Sequence, residues 1–297
     1  MRPAGVVWIA AAVVVARRRR DLRLPQAVSA LLAASVPAVA GASAPRRRWR
    51  HPFVWLGHMW AYKIAYEIPY DRPERLRERL HVLYPLRADR ALGAGQTPSE
   101  RLQSALRQPV HITALDRCLF AAYAVWTIEP HLVLAWILVR HPRAFASAAG
   151  RLAATYDATL LGYTLVPTAP PWWASEKQGL MGGRVARVTT RVVRHARGEP
   201  MERDDVEGSN PWASMPSDHF GSAAMTAMLA WQLDRRIGAA AWAYALALGF
   251  ALVYLGEHYV VDLLAGLSVA TLVDHAEPYA RPLGRRLSAA WTELEPG

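Results

Sequence analysis

Three residues in the C-terminal third have the types and spacing to do chemistry. They are His258 and Asp262 in GEHYVVD (256–262) and His219 in MPSDH (215–219). His258 and Asp262 are four apart, which on a helix would put both side chains on one face, one turn apart. A carboxylate beside an imidazole fixes the ring tautomer and supports its positive charge, the arrangement of a working nucleophile or base. The same pairing also occurs as an ordinary surface pair, so the surrounding elements must decide between the two.

Those elements are apolar. The chain is 53% hydrophobic and 20% charged, and its apolar residues gather in blocks close to the roughly 20 residues that a bilayer crossing needs. The expected fold class is all-α: a polytopic transmembrane helix bundle of about six spans with interfacial helices. Residues 1–117 read as N-terminal membrane and interfacial segments. Residues 118–275 read as a catalytic transmembrane core, and residues 276–297 as a polar C-terminal tail. Within the first part, residues 5–16 are a short apolar stretch before an arginine cluster, either a marginal membrane segment or a signal-peptide core. Residues 25–45 can span, RRRWR (46–50) follows, 52–69 is a span or an interfacial helix, and 70–117 reads as charged surface helices.

In the core, the expected spans are 118–139, 144–166, 219–233, 239–256 and 258–275. The first is interrupted by Glu129-Pro130-His131, read as a kink or as functional intramembrane polar groups. The second carries Asp157, read as a headgroup ligand or a helix–helix hydrogen bond. VPTAPPWWAS then breaks the pattern, with Trp172 and Trp173 expected as interfacial anchors.

The spans can be walked. If RHPR (140–143) lies on one side, residues 144–166 carry the chain to the other, where the loop reaches MPSDH. The helix from His219 returns to the first side at Asp234-Arg235-Arg236, and the next brings Glu257-His258 back. His219 and His258 are therefore expected at the same membrane surface. The short basic turns at 140–143 and 234–237 favour the cytoplasmic side under the positive-inside rule. That places the site on the extracytoplasmic face of a multi-pass cell-membrane protein, although loops 70–117 and 177–210 are also rich in arginine.

The composition narrows the classes. A single cysteine, Cys118, excludes an internal disulfide and a cysteine metal cluster. The net charge of +11 points to anionic headgroups or a phosphorylated substrate. No nucleic-acid motif accompanies it, so nucleic acid is set aside. In the loop, Arg184, Arg187, Arg191 and Arg194 recur at spacings of three, four and three, with Val185, Val188 and Val192 on another stripe. This reads as an amphipathic helix on the membrane surface or as a phosphate clamp over the site; the two are compatible.

Taken together, MPSDH (215–219) and GEHYVVD (256–262) resemble the Pro-Ser-Gly-His and His-x-x-x-Asp signatures of the type 2 phosphatidic acid phosphatase superfamily. VPTAPPWW (166–173), the 39-residue gap and the form HYVVD look closest to the branch containing inositol phosphorylceramide synthase. The resemblance covers residues 118–275. It implies that His258 attacks phosphorus to form a phosphohistidine, that Asp262 orients and stabilises its ring, and that His219 serves as acid and then base. No metal or other cofactor is implied, since cationic side chains and N–H groups can hold the phosphoryl oxygens. Ser217 would add a hydrogen bond. Asp218 stands where the signature has Gly, and reads as a residue that keeps His219 protonated or as a helix cap.

The superfamily's Lys-x6-Arg-Pro signature has no match before PSDH, and Ala251 and Leu252 stand where its Ser-Arg would be. Lys177, Arg184, Arg187 and Arg191 are the candidate replacements for holding phosphate. The expected activity is hydrolysis of a phosphomonoester or diphosphate lipid. Transfer of a phosphoalcohol headgroup between lipids is the alternative. A third reading is a metal-binding membrane transporter using Glu257, His258, Asp262 and His219. The expected partners are membrane lipids and a phosphorylated lipid substrate.

Overall fold

A computed structural model describes residues 2–44, 50–199 and 210–293, and among these the chain is all-helical with no strand. Most of RRRWR (46–49) and the middle of the basic loop (200–209) lie outside the described residues. An N-terminal group of long helices comprises α1 (Pro3–Arg17), α2 (Gln26–Ser43) and α3 (Arg50–Glu67). Three short helices follow a 3-10 turn at Ile68–Asp71: α4 (Pro73–Glu78), α5 (Leu83–Leu92) and α6 (Pro98–Leu106). The core contains α7 (Ala114–Val125), α8 (Glu129–Arg140), α9 (Phe145–Leu165), α10 (Val188–Arg197), α11 (Asp218–Leu233), α12 (Arg235–Tyr254) and α13 (Val260–Glu293).

Local chemistry sets many of these limits. Thr97 and Glu100 form a reciprocal capping box at the start of α6, and Thr113 and Asp116 do the same for α7. Asp234 takes the N–H groups of Arg236 and Ile237, so the chain turns from α11 into α12 with almost no linker. Pro130 sits in the first turn of α8 and separates it from α7 with a bend of 47°.

By length and apolar character, α2 and α12 can each cross a membrane, and the bent pair α7–α8 together makes a third candidate. Among the described residues, six clear spans are not present by length and apolar character, for physical reasons that differ between helices. At 21 residues α9 is long enough, but it carries Arg151 and Asp157; α11 has only 16 residues. The helix expected over 258–275 begins at Val260 and continues through Pro278 and Pro282 to Glu293, so residues 276–293 are helical and continuous with α13.

The centre of the bundle is α11, packed by α8, α9, α12 and α13. Its buried residues include a run of small ones, Gly221, Ala223, Ala224, Ala227 and Ala230, beside the larger Phe220, Met225 and Leu229. A Cβ on Gly221 would lie 2.9 Å from the Gly266 carbonyl oxygen, and one on Gly266 would lie 2.2 Å from the Ser217 carbonyl oxygen. The backbones of α11 and α13 therefore touch, as small residues allow when helices pack without a large apolar driving force. This contact brings the start of α11 beside the start of α13, where the Ser217 N–H donates to the Asp262 carbonyl at 2.9 Å.

The short helices cover one end of the bundle. Leu76 of α4 joins a buried cluster with Trp172, Trp173 and Trp212, while Leu86 of α5 packs with Met181, Val185 and Tyr259. The two tryptophans expected as interfacial anchors are thus inside this roof, at 2% and 8% exposure. The reason is that α4 supplies an apolar partner for them.

Candidate active site

The two histidines meet. His258 Nε2 lies 3.2 Å from His219 Nδ1, with ring centroids 5.3 Å apart. His219 is in the first turn of α11. His258 is not on a helix: it follows a turn at Gly256, whose φ of +79° belongs to the left-handed region. The expectation that His258 and Asp262 share a helix face is corrected here, because α13 starts two residues after His258. Asp262 instead occupies the first turn of α13, and its Oδ2 accepts the Tyr259 N–H at 2.9 Å. That is the reciprocal half of a capping box, and it starts α13 after His258.

Asp262 is fully buried, and its Oδ2 is 3.4 Å from His258 Nδ1. This is an ion-pair distance, longer than a good hydrogen bond. Oδ2 also accepts the Ser214 hydroxyl at 2.6 Å, whereas Asp262 Oδ1 and His258 Nδ1 have no hydrogen-bond partner. Ser214 is placed by a run of backbone bonds: its N–H donates to the Thr168 carbonyl, and the Thr168 N–H donates to the Trp212 carbonyl. Asp89 of α5 acts from outside this pair. Its Oδ1 accepts the Val261 N–H at 3.2 Å, so a second carboxylate caps α13. Burial, opposed by backbone hydrogen bonds from α13 and reinforced by the nearby Asp262 charge, pushes the Asp89 carboxyl up to about 6.

His219 is held differently. Its ring lies 4.1 Å from the Trp126 ring and 5.2 Å from the Tyr123 ring, both near the end of α7. Trp126 is fixed in turn by its Nε1–H, which donates to Ser222 Oγ at 2.8 Å. Neither Ser214, Asp89, Tyr123 nor Trp126 was singled out in the sequence. The spacing of Trp126 and Tyr123 on one helix face was visible, but nothing local tied that face to His219.

The other sequence candidates are spread out. The Ser217 hydroxyl is buried and caps α11 by accepting the Phe220 N–H at 3.3 Å. Ser217, not Asp218, is therefore the N-cap residue. The Asp218 carboxylate is buried in the bundle, where it accepts the hydroxyls of Tyr62 at 2.6 Å and Thr159 at 3.0 Å. The arginine stripe does not form as expected, because α10 begins at Val188 and leaves Arg184 and Arg187 in the preceding loop. Val185, Val188 and Val192 are buried, and their packing sets that boundary. Arg184 bonds the Met181 carbonyl and approaches Glu100 at 3.7 Å, while Arg191 bonds the Pro109 carbonyl. Lys177 is exposed at the end of a π-helical turn, Trp173–Lys177.

Arg187 reaches the residue next to His258. Its Nε donates to Glu257 Oε1 at 3.0 Å, and its guanidinium stacks 4.6 Å from the Trp172 ring. The Arg187 guanidinium is partly desolvated, but the Glu257 carboxylate outweighs that and holds its pKa above the ordinary value. The Thr189 hydroxyl also bonds Glu257, so this carboxylate is occupied away from the histidines. Among the described residues, no group of three His, Cys, Asp or Glu side chains is arranged to hold a metal ion.

A family model described as PAP2 superfamily matches residues 86–274, and the chain belongs to that superfamily. Members of this superfamily are phosphatases or related enzymes, which makes this chain an enzyme acting on phosphorylated substrates. No curated protein and no solved structure matches the chain.

Proposed function

We propose that this protein is an integral membrane lipid phosphatase that works through a phosphohistidine on His258. The observation that carries the reading is the contact between His258 and His219, with Asp262 behind the first ring. In the resting pair, a proton on one ring meets a lone pair on the other. A phosphoryl group entering between them replaces this contact. His258 Nε2 then attacks phosphorus, and the bond to the leaving oxygen breaks as His219 gives that oxygen a proton. Positive charge develops on the His258 ring, and the unpartnered Nδ1 and the buried carboxylate of Asp262 are poised to close into a charge-assisted hydrogen bond. His219, now neutral, takes a proton from water, whose oxygen attacks the phosphohistidine and releases phosphate.

Arg187 is the best placed of the cationic candidates to meet phosphoryl oxygens, by exchanging part of its bond to Glu257. Lys177, Arg184 and Arg191 serve the surface around it. Asp218 acts as an anchor for the start of α11 through Tyr62 and Thr159, and Ser217 as its cap. The chain is read as crossing the membrane about six times, with shorter or more polar helices such as α9 and α11 shielded by their neighbours. The basic turns at 140–143 and 234–237 lie at the end opposite the histidines, which favours an extracytoplasmic site.

Headgroup transfer, as in the inositol phosphorylceramide synthase-like branch, shares the first half of this mechanism. The aromatic walls on His219 favour it, because excluding water protects the intermediate for an acceptor alcohol. The test is phosphate release by the detergent-solubilised protein from lipid phosphates and diphosphates, with EDTA, against His258→Ala. The phosphatase reading expects metal-independent release that the variant loses by at least ~10,000-fold. No phosphate release from wild type, but conversion of an added acceptor alcohol to its headgroup-bearing product when a phosphodiester lipid donor is supplied, selects the transferase. No turnover in either format, with the variant indistinguishable, removes the phosphohistidine mechanism.

A further inference from the structure

A groove with a cavity volume of about 620 Å³ lies between the start of α2, the 3-10 turn after α3, the short helix α4 and the end of α9. Its floor is apolar, formed by Ala27, Ala30, Ala65, Leu160 and Leu161. Its rim carries three guanidinium groups, from Arg72, Arg75 and Arg79, against one carboxylate, from Glu78. Arg79 donates to the Thr164 and Leu165 carbonyls, the last of α9. Arg72 and Arg75 are exposed, and their guanidinium groups make no hydrogen bond or ion pair with any described residue.

The groove's level can be read from its walls. Gln26 and Ala27 open α2, one of the two helices long and apolar enough to cross a membrane alone. The arginines therefore stand where α2 leaves the hydrocarbon, at the height of lipid phosphates, while Ala30, Ala65, Leu160 and Leu161 face the acyl region. The groove also belongs to the catalytic end of the bundle. A Cβ on Gly162 of α9 would lie 2.4 Å from Pro216, three residues before His219.

We propose that this groove holds an anionic phospholipid, with its phosphate on Arg72 and Arg75 and its chains along the alanine and leucine floor. The proposal rests on the membrane-spanning reading given above, but not on the phosphohistidine mechanism. Guanidinium groups suit phosphate oxygens by charge and by paired N–H donors, and unpartnered ones lose no protein contact on binding. None of the lining residues belongs to the histidine site, so the lipid is a second one in the same leaflet as the substrate. It would fill the gap between the N-terminal helices and α9.

Native mass spectrometry of the full chain released from detergent tests this, with phosphatidylglycerol or phosphatidylcholine added. Phosphatidylglycerol should be retained several-fold more than phosphatidylcholine, and Arg72→Gln/Arg75→Gln should bring the two lipids level. Arg235→Gln/Arg236→Gln removes the same charge at the opposite end of the bundle and should leave the preference intact. Ala30→Trp should lower phosphatidylglycerol retention by filling the groove with no change in charge. The His258→Ala chain should retain the lipid as wild type does, whatever its effect on turnover. A preference that survives loss of Arg72 and Arg75, or that falls equally with Arg235 and Arg236, overturns the proposal. Loss of retention in His258→Ala would assign the lipid to the catalytic pair and overturn it as well.

Discussion

The two histidines are partners in one contact, yet their surroundings are opposite. His258 stands on polar scaffolding: the Asp262 carboxylate, itself held by the Ser214 hydroxyl and the Tyr259 N–H. His219 stands on aromatic faces, with Trp126 at 4.1 Å and Tyr123 at 5.2 Å. The difference fits the two tasks proposed for them. A nucleophile that becomes a cationic phosphohistidine needs a fixed negative neighbour, whereas a group that passes a proton twice needs orientation without a charge that would lock it in one state.

Substitutions can break or sharpen this contrast. Asp262→Asn should cut kcat by ~1,000- to 10,000-fold with little change in KM, because it removes the charge and presents the wrong hydrogen-bonding group to the ring. Phosphate-release kinetics check that, and a loss below tenfold would show that the polar side is not what supports His258. Arg187→Gln should raise KM by roughly 10- to 100-fold, and Arg187→Lys should not restore it, since a point charge cannot keep both the Glu257 bond and the stack on Trp172. Trp126→Leu should lower kcat by about tenfold and shift its pH profile, while Trp126→Phe, which keeps a ring but loses the bond to Ser222, should fall between. Equal rates and unchanged profiles in both variants would reduce the aromatic side to packing.

The smallest effect concerns Asp89 beneath the polar side. Its carboxyl is raised to about 6 in the folded chain. Folding therefore favours its protonated form, and stability falls as pH rises from about 4 to about 6, by roughly 1–3 kcal/mol, then stays level. Asp89→Asn keeps an oxygen for the Val261 N–H and should flatten that slope in thermal unfolding of the solubilised protein. A slope that persists in the variant would assign it to another group.

The polar side was partly legible in the sequence. GEHYVVD gives both residues and their spacing, and walking the spans brings His219 to the same surface. What the sequence hid was the local backbone. Spacing of four suits a helix equally well inside it or at its edge, and only the Tyr259–Asp262 cap decides for the edge. The aromatic side was hidden for a different reason. Trp126 and Tyr123 meet His219 only because α7 packs on α12 and the bend before α8 turns the chain, and neither event leaves a local pattern. The arginine stripe misled through periodicity: the same spacing that describes a helix face also fits a loop pinned by Val185 and the Gln103 amide, which bonds both the N–H and the carbonyl of Ala186. The helical class was legible throughout, but span counting was less so. Arg151 and Asp157 make α9 too polar to stand out, although inside the bundle Arg151 is paired with Asp274.

The touching backbones at Gly221 and Gly266 carry a consequence for how variation in this chain would look. Neither glycine bears a functional group, yet a single methyl at either would push α11 and α13 apart and carry His219 away from His258. In a scan of every substitution, these two positions would be as intolerant as the histidines, for want of space rather than for chemistry. An inventory of inactivating variants would therefore outline a region larger than the part of the molecule that meets phosphorus.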